Sequence, residues 1–235
     1  MSFINLIRRN MRVIIPTNRP DKVTTTKYFQ GAELFVNNIG VANARHSLVA
    51  THADSDLPIL MLDDDLVGLW HKENGKYVKE VDLEAMFNYH TGLMSSFSTP
   101  FLCIGSNAVG VHNKSEPLLF GRAYSAYYLN CRVLMKNDIN FDPSVDLFED
   151  FDMSMQLFDK GFLPLISYEY AMEFKHWNKD GCGTYRTREF MHSSSQNFMN
   201  KWRKYGKFLT IVDHDGFQEP RIKFKEMLRY KGIAV

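Results

Sequence analysis

The segment "LPILMLDDD", residues 57–65, constrains the chain more than any other stretch. Its apolar run is too short and too continuous for an amphipathic surface helix, and Pro58 and the acids bound it, so it reads as a strand buried on both faces. "MRVIIPTNRP", residues 11–20, repeats the arrangement: a β-branched apolar run stopped by Pro16 and followed by a polar loop. Between them, residues 21–35 open with an Asp cap and carry helix-compatible apolar spacing, interrupted by Gly31 and three threonines. Residues 41–53 read as a second helix. Buried strands separated by helices imply an α/β fold with a mixed, mainly parallel central sheet. Ligands of open α/β sheets bind beyond the carboxyl ends of the strands, so the Pro-Thr-Asn-Arg and Asp-Asp-Asp segments can meet across one crevice.

At 235 residues and 45% hydrophobic, the chain fits a single domain spanning 1–235, with 201–235 a basic C-terminal segment packed on it. The net charge of +1 advertises neither a nucleic-acid nor a membrane partner for the chain as a whole, which leaves room for a local patch. Cys103, Cys131 and Cys182 form no CxxC pair, which argues against a disulfide framework or structural zinc and fits a reducing cytoplasm. The N-terminus lacks a secretory apolar core, and no stretch approaches the roughly 20 apolar residues that span a bilayer, so a soluble protein is expected.

Further along, residues 83–95 read as a helix and 101–105 as a strand. The aromatic and β-branched "GRAYSAYYLNCRVLMKN" reads as strand. "DLFEDFDMSMQLFDKGF" places Phe151, Met153, Met155, Leu157 and Phe158 on a helix closed by Gly161. "LPLISYEYAMEF" reads as a last strand before the glycine-rich "NKDGCGTYR" loop.

Carboxylates grouped at a strand end raise one another's pKa, and a divalent cation is the common remedy; an all-oxygen set suits Mg²⁺ or Mn²⁺. The alternative is a solvated acidic turn. Glu149, Asp150 and Asp152 form a second acidic group, which either complements a helix N-terminus or supplies a general base for an acceptor hydroxyl. His176 is a structural histidine or a further metal ligand. Arg19 and Arg45 are donors for phosphate oxygens or surface ion pairs.

The Pro-Thr-x-Arg strand end, the "ANAR" helix, the Asp-x-Asp triplet, "FEDFDM" and the downstream histidine together resemble a nucleotide-sugar glycosyltransferase of the A-type fold, in that family's order along nearly the whole chain. Within that class, "FEDFDMSMQLFDKGF" followed by "NKDGCGTYRT" is similar to the TET/JBP-associated glycosyltransferases, a largely bacteriophage family implicated in adding sugars to hydroxymethylated pyrimidines in DNA. The family's Gly-Gly-Cys is here Gly181-Cys182-Gly183. The resemblance implies a UDP-sugar donor whose base and ribose lie on the loop from Pro16 and Thr17 to Arg19, with Arg45 approaching the nucleotide. Asp63, Asp64 and Asp65 would contact ribose and metal, with His176 as a further metal or diphosphate ligand. Asp150, with Glu149 beside it, would be the base of an inverting enzyme, or a positioning group in a retaining one. Arg122, Tyr124, Asp152, Tyr185 and Arg186 would meet the acceptor.

Residues 201–235 hold nine basic side chains against four acidic ones, with Trp202, Tyr205 and Phe208 interleaved. This segment would track DNA phosphates and stack bases, or would be a solvated face with its aromatics in the core. Phe120, Tyr124 or Tyr128 would replace the stacking of an extruded nucleotide. The alternatives to a DNA acceptor are a polysaccharide or glycolipid acceptor, or a silent nucleotide or nucleic-acid binding module.

Overall fold

A computed structural model describes residues 11–36, 40–110, 116–123, 126–175 and 187–234, apart from the side chain of Asp146. In chain order the strands are β1 (Arg12–Thr17), β2 (Glu33–Val36), β3 (Ile59–Leu62), β4 (Leu66–Glu73), β5 (Lys76–Val78), β6 (Phe101–Ile104), β7 (Leu118–Leu119), β8 (Ala126–Leu129), β9 (Leu165–Ser167), β10 (Tyr170–Phe174), β11 (Leu209–His214) and β12 (Phe217–Ile222). The helices are α1 (Val41–Thr51), α2 (Leu83–Ser96), α3 (Asn107–Gly110), α4 (Cys131–Lys136), α5 (Glu149–Asp159), α6 (Arg188–Lys201) and α7 (Phe224–Tyr230).

Seven strands form one sheet in the order β2-β1-β3-β8-β6-β9-β7. Strands β1, β2, β3, β6 and β9 run one way, and β7 and β8 run against them. The expected α/β fold with a mixed, mainly parallel sheet is the one observed. Successive side chains of a strand point to opposite faces, so Val13 and Ile15 pack with Met86 and Phe87 of α2. Ile14, on the other face, packs with Leu48 and Val49 of α1 and Met153 of α5. Covering both faces is what makes every residue of β3 buried, and each such aliphatic side chain contributes about 1.5–3 kcal/mol.

Helix α2 starts where Asp82 accepts from the backbone N–H groups of Glu84 and Ala85. Helix α5 ends before Gly161, whose φ of 86° is the left-handed conformation that glycine adopts without cost. Its Phe151 and Phe158, with Phe148 just before it, join Phe198, Trp202, Tyr205 and Phe208 in a third core cluster. That cluster fastens the C-terminal segment to the sheet.

Several expectations are corrected. Residues 21–35 are not a helix: they form two single turns, Pro20–Lys22 and Thr25–Lys27, and then the edge strand β2. The threonines bond elsewhere, as described below, and Gly31 sits at φ 85°. "LNCRVLMKN" turns helical after β8, because Asn130 caps α4 by accepting from Val133 N–H. The expected last strand divides into β9 and β10, which belong to different sheets, and β11 and β12 add a terminal hairpin.

Candidate active site

The carboxyl ends of β1 and β3, the start of β8 and the first turn of α5 converge at one edge of the sheet. The acidic triplet forms the corner between β3 and β4, where the chain leaves the main sheet for the three-stranded sheet β10-β4-β5. Two threonines from the segment expected to be helical pin this corner. Thr25 Oγ1 donates to the Asp63 carbonyl at 2.6 Å, Thr24 N–H to the Asp64 carbonyl at 2.8 Å, and Thr24 Oγ1 to the Leu66 carbonyl at 2.9 Å. From the far side, Lys175 N–H donates to the Asp65 carbonyl at 3.2 Å.

The three aspartates have different partners. Asp64 accepts from Thr17 Oγ1 at 2.5 Å and from Arg19 Nη2 at 2.7 Å, which locks the loop after β1 to the triplet. Asp63 Oδ1 accepts from Arg45 Nη2 at 2.7 Å. Arg45 uses its other nitrogen for the second acidic motif: Nη1 donates to Glu149 Oε1 at 2.6 Å and to Tyr127 Oη at 3.1 Å. Its guanidinium carbon lies 5.0 Å from the centroid of the Tyr127 ring. Arg45 is 4% exposed, so it joins the two acidic motifs from beneath the floor of the site.

Burial, reinforced by Asp63 and Asp64, pushes the Asp65 carboxyl up to about 7. Burial likewise pushes Glu149 up to about 7, with Arg45 opposing and Asp150 reinforcing the shift. A cation beside Asp65 would relieve this crowding of negative charge. Asp65 and Asp63 are the oxygen donors that the divalent ion expected from the acidic triplet would have at this corner, and Asp63 would share its carboxylate with Arg45. Among the described residues, no group of three or more His, Cys, Asp and Glu is already gathered as a ligand set.

Helix α5 begins after Phe148, which makes no side-chain cap, so Glu149, Asp150 and Asp152 sit in its first turn rather than capping it. The helical rotation separates them. Glu149 and Asp150 face the crevice side, where Asp150 Oδ2 accepts from Arg122 Nε at 3.2 Å. Asp152 is 0% exposed and accepts from Trp202 Nε1 at 2.8 Å, Lys201 Nζ at 2.8 Å and Gln156 Nε2 at 2.6 Å. Contrary to its expected acceptor role, Asp152 points into the C-terminal core.

No protein-family model matches the sequence, and no curated protein matches it. Among solved structures, the chain is similar to S. aureus TarS 1–349 in complex with UDP, with a TM-score of 0.46 and 15% identity over 82% of this chain and 66% of that one. The TarS 1–349 complex with UDP-GlcNAc gives 0.47 and 15%, over 82% and 67%. A197 from STIV gives 0.44 and 10%, over 71% of this chain and 85% of that one. The chain thus spans about two thirds of TarS 1–349 and 40% of the longer TarS structure.

Pro16, Thr17, Arg19, Asp63, Asp64 and Asp65 thus lie together at one edge, with Arg45, Glu149 and Asp150 joining them through the guanidinium bridge. His176, Tyr124, Tyr185 and Arg186 lie outside the described residues, as does Cys182. Phe120 and Tyr128, offered above as stacking partners for an extruded base, are 2% and 0% exposed and belong to the core. Trp202, Tyr205 and Phe208 are also buried, so the interleaved aromatics of the basic segment are packing residues. The sequence reading did not single out Tyr127 or Thr25. The threonine run "VTTTK" is the sequence signal for Thr25, and nothing local marks Tyr127. Cys103 and Cys131 are buried thiols, and Cys103 Sγ donates to the Ile104 carbonyl at 3.3 Å. No helix among the described residues is long and apolar enough to cross a membrane.

Proposed function

We propose that the protein is a nucleotide-sugar glycosyltransferase of the A-type fold. In this reading it uses a UDP-sugar with Mn²⁺ or Mg²⁺ and transfers the sugar to the hydroxymethyl group of a 5-hydroxymethylpyrimidine in DNA. The observation that carries the transferase reading is the Arg45 bridge, which holds the strand-end aspartates and the acidic start of α5 next to each other at one edge of the sheet.

In this arrangement Asp64, with Thr17 and Arg19 fixed to it, presents paired polar groups to the ribose and base. Asp65 and Asp63 face the diphosphate side. When bound there, a divalent cation supplies Lewis-acid stabilisation of the departing diphosphate. Asp150 is positioned to accept the proton of the acceptor hydroxyl as its oxygen bonds to the anomeric carbon and the bond from that carbon to the diphosphate breaks, releasing UDP. Glu149, tied to Arg45, orients the helix start rather than meeting the acceptor itself.

The DNA acceptor rests on the family resemblance and on cations at the surface of the C-terminal segment, where Lys207 and Lys231 are exposed. The test is UDP release by the purified protein with Mn²⁺, over a panel of UDP-sugars headed by UDP-GlcNAc and duplexes carrying 5-hydroxymethylcytosine, 5-hydroxymethyluracil or unmodified pyrimidines. Release with only the hydroxymethylated duplexes, with a matching mass gain on the base, is expected. Release that ignores DNA would move the acceptor to a polysaccharide or glycolipid, and silence with every pair would leave a binding module.

A further inference from the structure

A cleft of about 320 Å³ lies between the β11–β12 hairpin and Phe151 at the start of α5, and Arg122, which bonds Asp150, is part of its lining. Its walls include Phe151, Pro220, Ile222 and Phe224, and Arg221 and His214 are exposed at its lining. Arg122 stands between this cleft and the carboxylate. Its Nε donates to Asp150 Oδ2 at 3.2 Å and its Nη1 to Glu219 Oε1 of the hairpin at 3.0 Å, while its guanidinium carbon lies 4.5 Å from the centroid of the Phe151 ring. The hairpin is itself anchored, because Ser195 Oγ of α6 donates to the Gln218 carbonyl at 2.8 Å.

We infer that this cleft is an acceptor subsite that takes one unstacked nucleobase, layered against the Arg122 guanidinium, and that Arg122 is a positioning residue for Asp150. The inference rests on the transferase reading above. Size, walls and rim all favour a base. The volume is at the lower end for small-molecule pockets, which suits a single ring rather than an oligosaccharide. A sugar acceptor needs many convergent polar groups, whereas most of the wall area here is apolar, from Phe151, Val212, Pro220, Ile222 and Phe224. A guanidinium plane backed by an aromatic ring is a stacking platform for a heteroaromatic ring. Arg221 and His214 place cationic or hydrogen-bonding groups where the phosphates flanking that ring would run. One side chain thus couples the hairpin, through Glu219, to the group that receives the acceptor's proton.

The test uses the full chain and a short single-stranded oligonucleotide carrying one 2-aminopurine, whose fluorescence falls when the base is stacked. Wild type should quench it saturably. Arg122→Gln should bind it about tenfold or more weakly, the loss of one charge-assisted contact and a stacking surface. Arg122→Lys should keep the salt-dependent binding but lose the quenching, because an ammonium carries charge without a plane. UDP affinity by calorimetry should be the same in all three proteins, while the thermal midpoint should fall in Arg122→Gln, which leaves Asp150 and Glu219 without this cation, and less in Arg122→Lys. With a hydroxymethylated oligonucleotide, both variants should lose kcat while KM for the donor holds. Quenching that is absent in wild type, or equal in all three proteins, overturns the subsite and leaves donor binding intact. Arg122-dependent quenching by a protein that binds no UDP or UDP-sugar overturns the transferase reading, and with it the acceptor role.

Discussion

Arg45 Nη1 donates to Glu149 Oε1 at 2.6 Å, across 104 positions of sequence. The same guanidinium also holds Asp63, so one buried cation fixes the distance between the two acidic motifs of the candidate active site. An exposed ion pair contributes little, but a buried one whose partner is removed leaves uncompensated charge behind.

Arg45→Met should therefore destabilise the fold by about 3–5 kcal/mol, read as a lower urea midpoint at unchanged m-value. Adding Glu149→Gln to it should recover part of the loss by removing one stranded carboxylate. A midpoint unaffected by Arg45→Met would show that the bridge holds nothing together.

Asp65→Asn should lower metal-dependent UDP release by at least about a hundredfold, because the amide removes the anionic donor while keeping the shape of the corner. The backbone bonds from Thr24, Thr25 and Lys175 do not use the Asp65 side chain, so the thermal midpoint should not fall. Turnover equal to wild type would take the cation away from Asp65.

Asp152→Ala should cost about 2–3 kcal/mol, since Trp202 Nε1 is left buried without its acceptor and Lys201 loses one of its two carboxylates. Activity per folded molecule should stay at the wild-type level, because this carboxylate faces the C-terminal core. A raised KM for either substrate in a fully folded variant would return Asp152 to the acceptor site.

His90 gives a pH dependence. It is fully buried between α2 and the sheet, with Nε2 3.2 Å from Ser167 Oγ, and burial lowers its imidazole from 6.5 to about 3. The unfolded chain takes up a proton below pH 6.5, whereas the folded chain does so only near 3. Stability due to this group is therefore complete above 6.5 and lost as pH falls through that window, by up to about 1.4 kcal/mol per pH unit. His90→Gln should flatten that part of the urea-midpoint profile against pH. Parallel profiles for the two proteins would place the acid sensitivity elsewhere.

The sequence by itself determined the strands that anchor the site. Two continuous apolar runs ending in polar residues can be satisfied only by burial on both faces, which makes them strands of a covered sheet and puts residues 16–19 and 63–65 at its edge. The helix beginning at Glu149 was legible for the same reason, from an aromatic stripe ended by a glycine. Partners distant in sequence were not legible. Thr24 and Thr25 read as poor helix residues because local propensity cannot see that their hydroxyls meet carbonyls of the acidic corner. Arg45 read as a phosphate donor or a surface ion pair because sequence does not report that it is buried between two carboxylates. Neighbouring Asp150 and Asp152 read as one acidic group, yet a helix turns them to different sides, one to the crevice and one to Trp202. The C-terminal aromatics read equally as a stacking platform or as core, and tertiary packing placed them in the core. Periodicity and burial are local signals along the chain, whereas the choice of a charged group's partner depends on which surfaces the fold brings within about 3 Å, and that exists only in the tertiary structure.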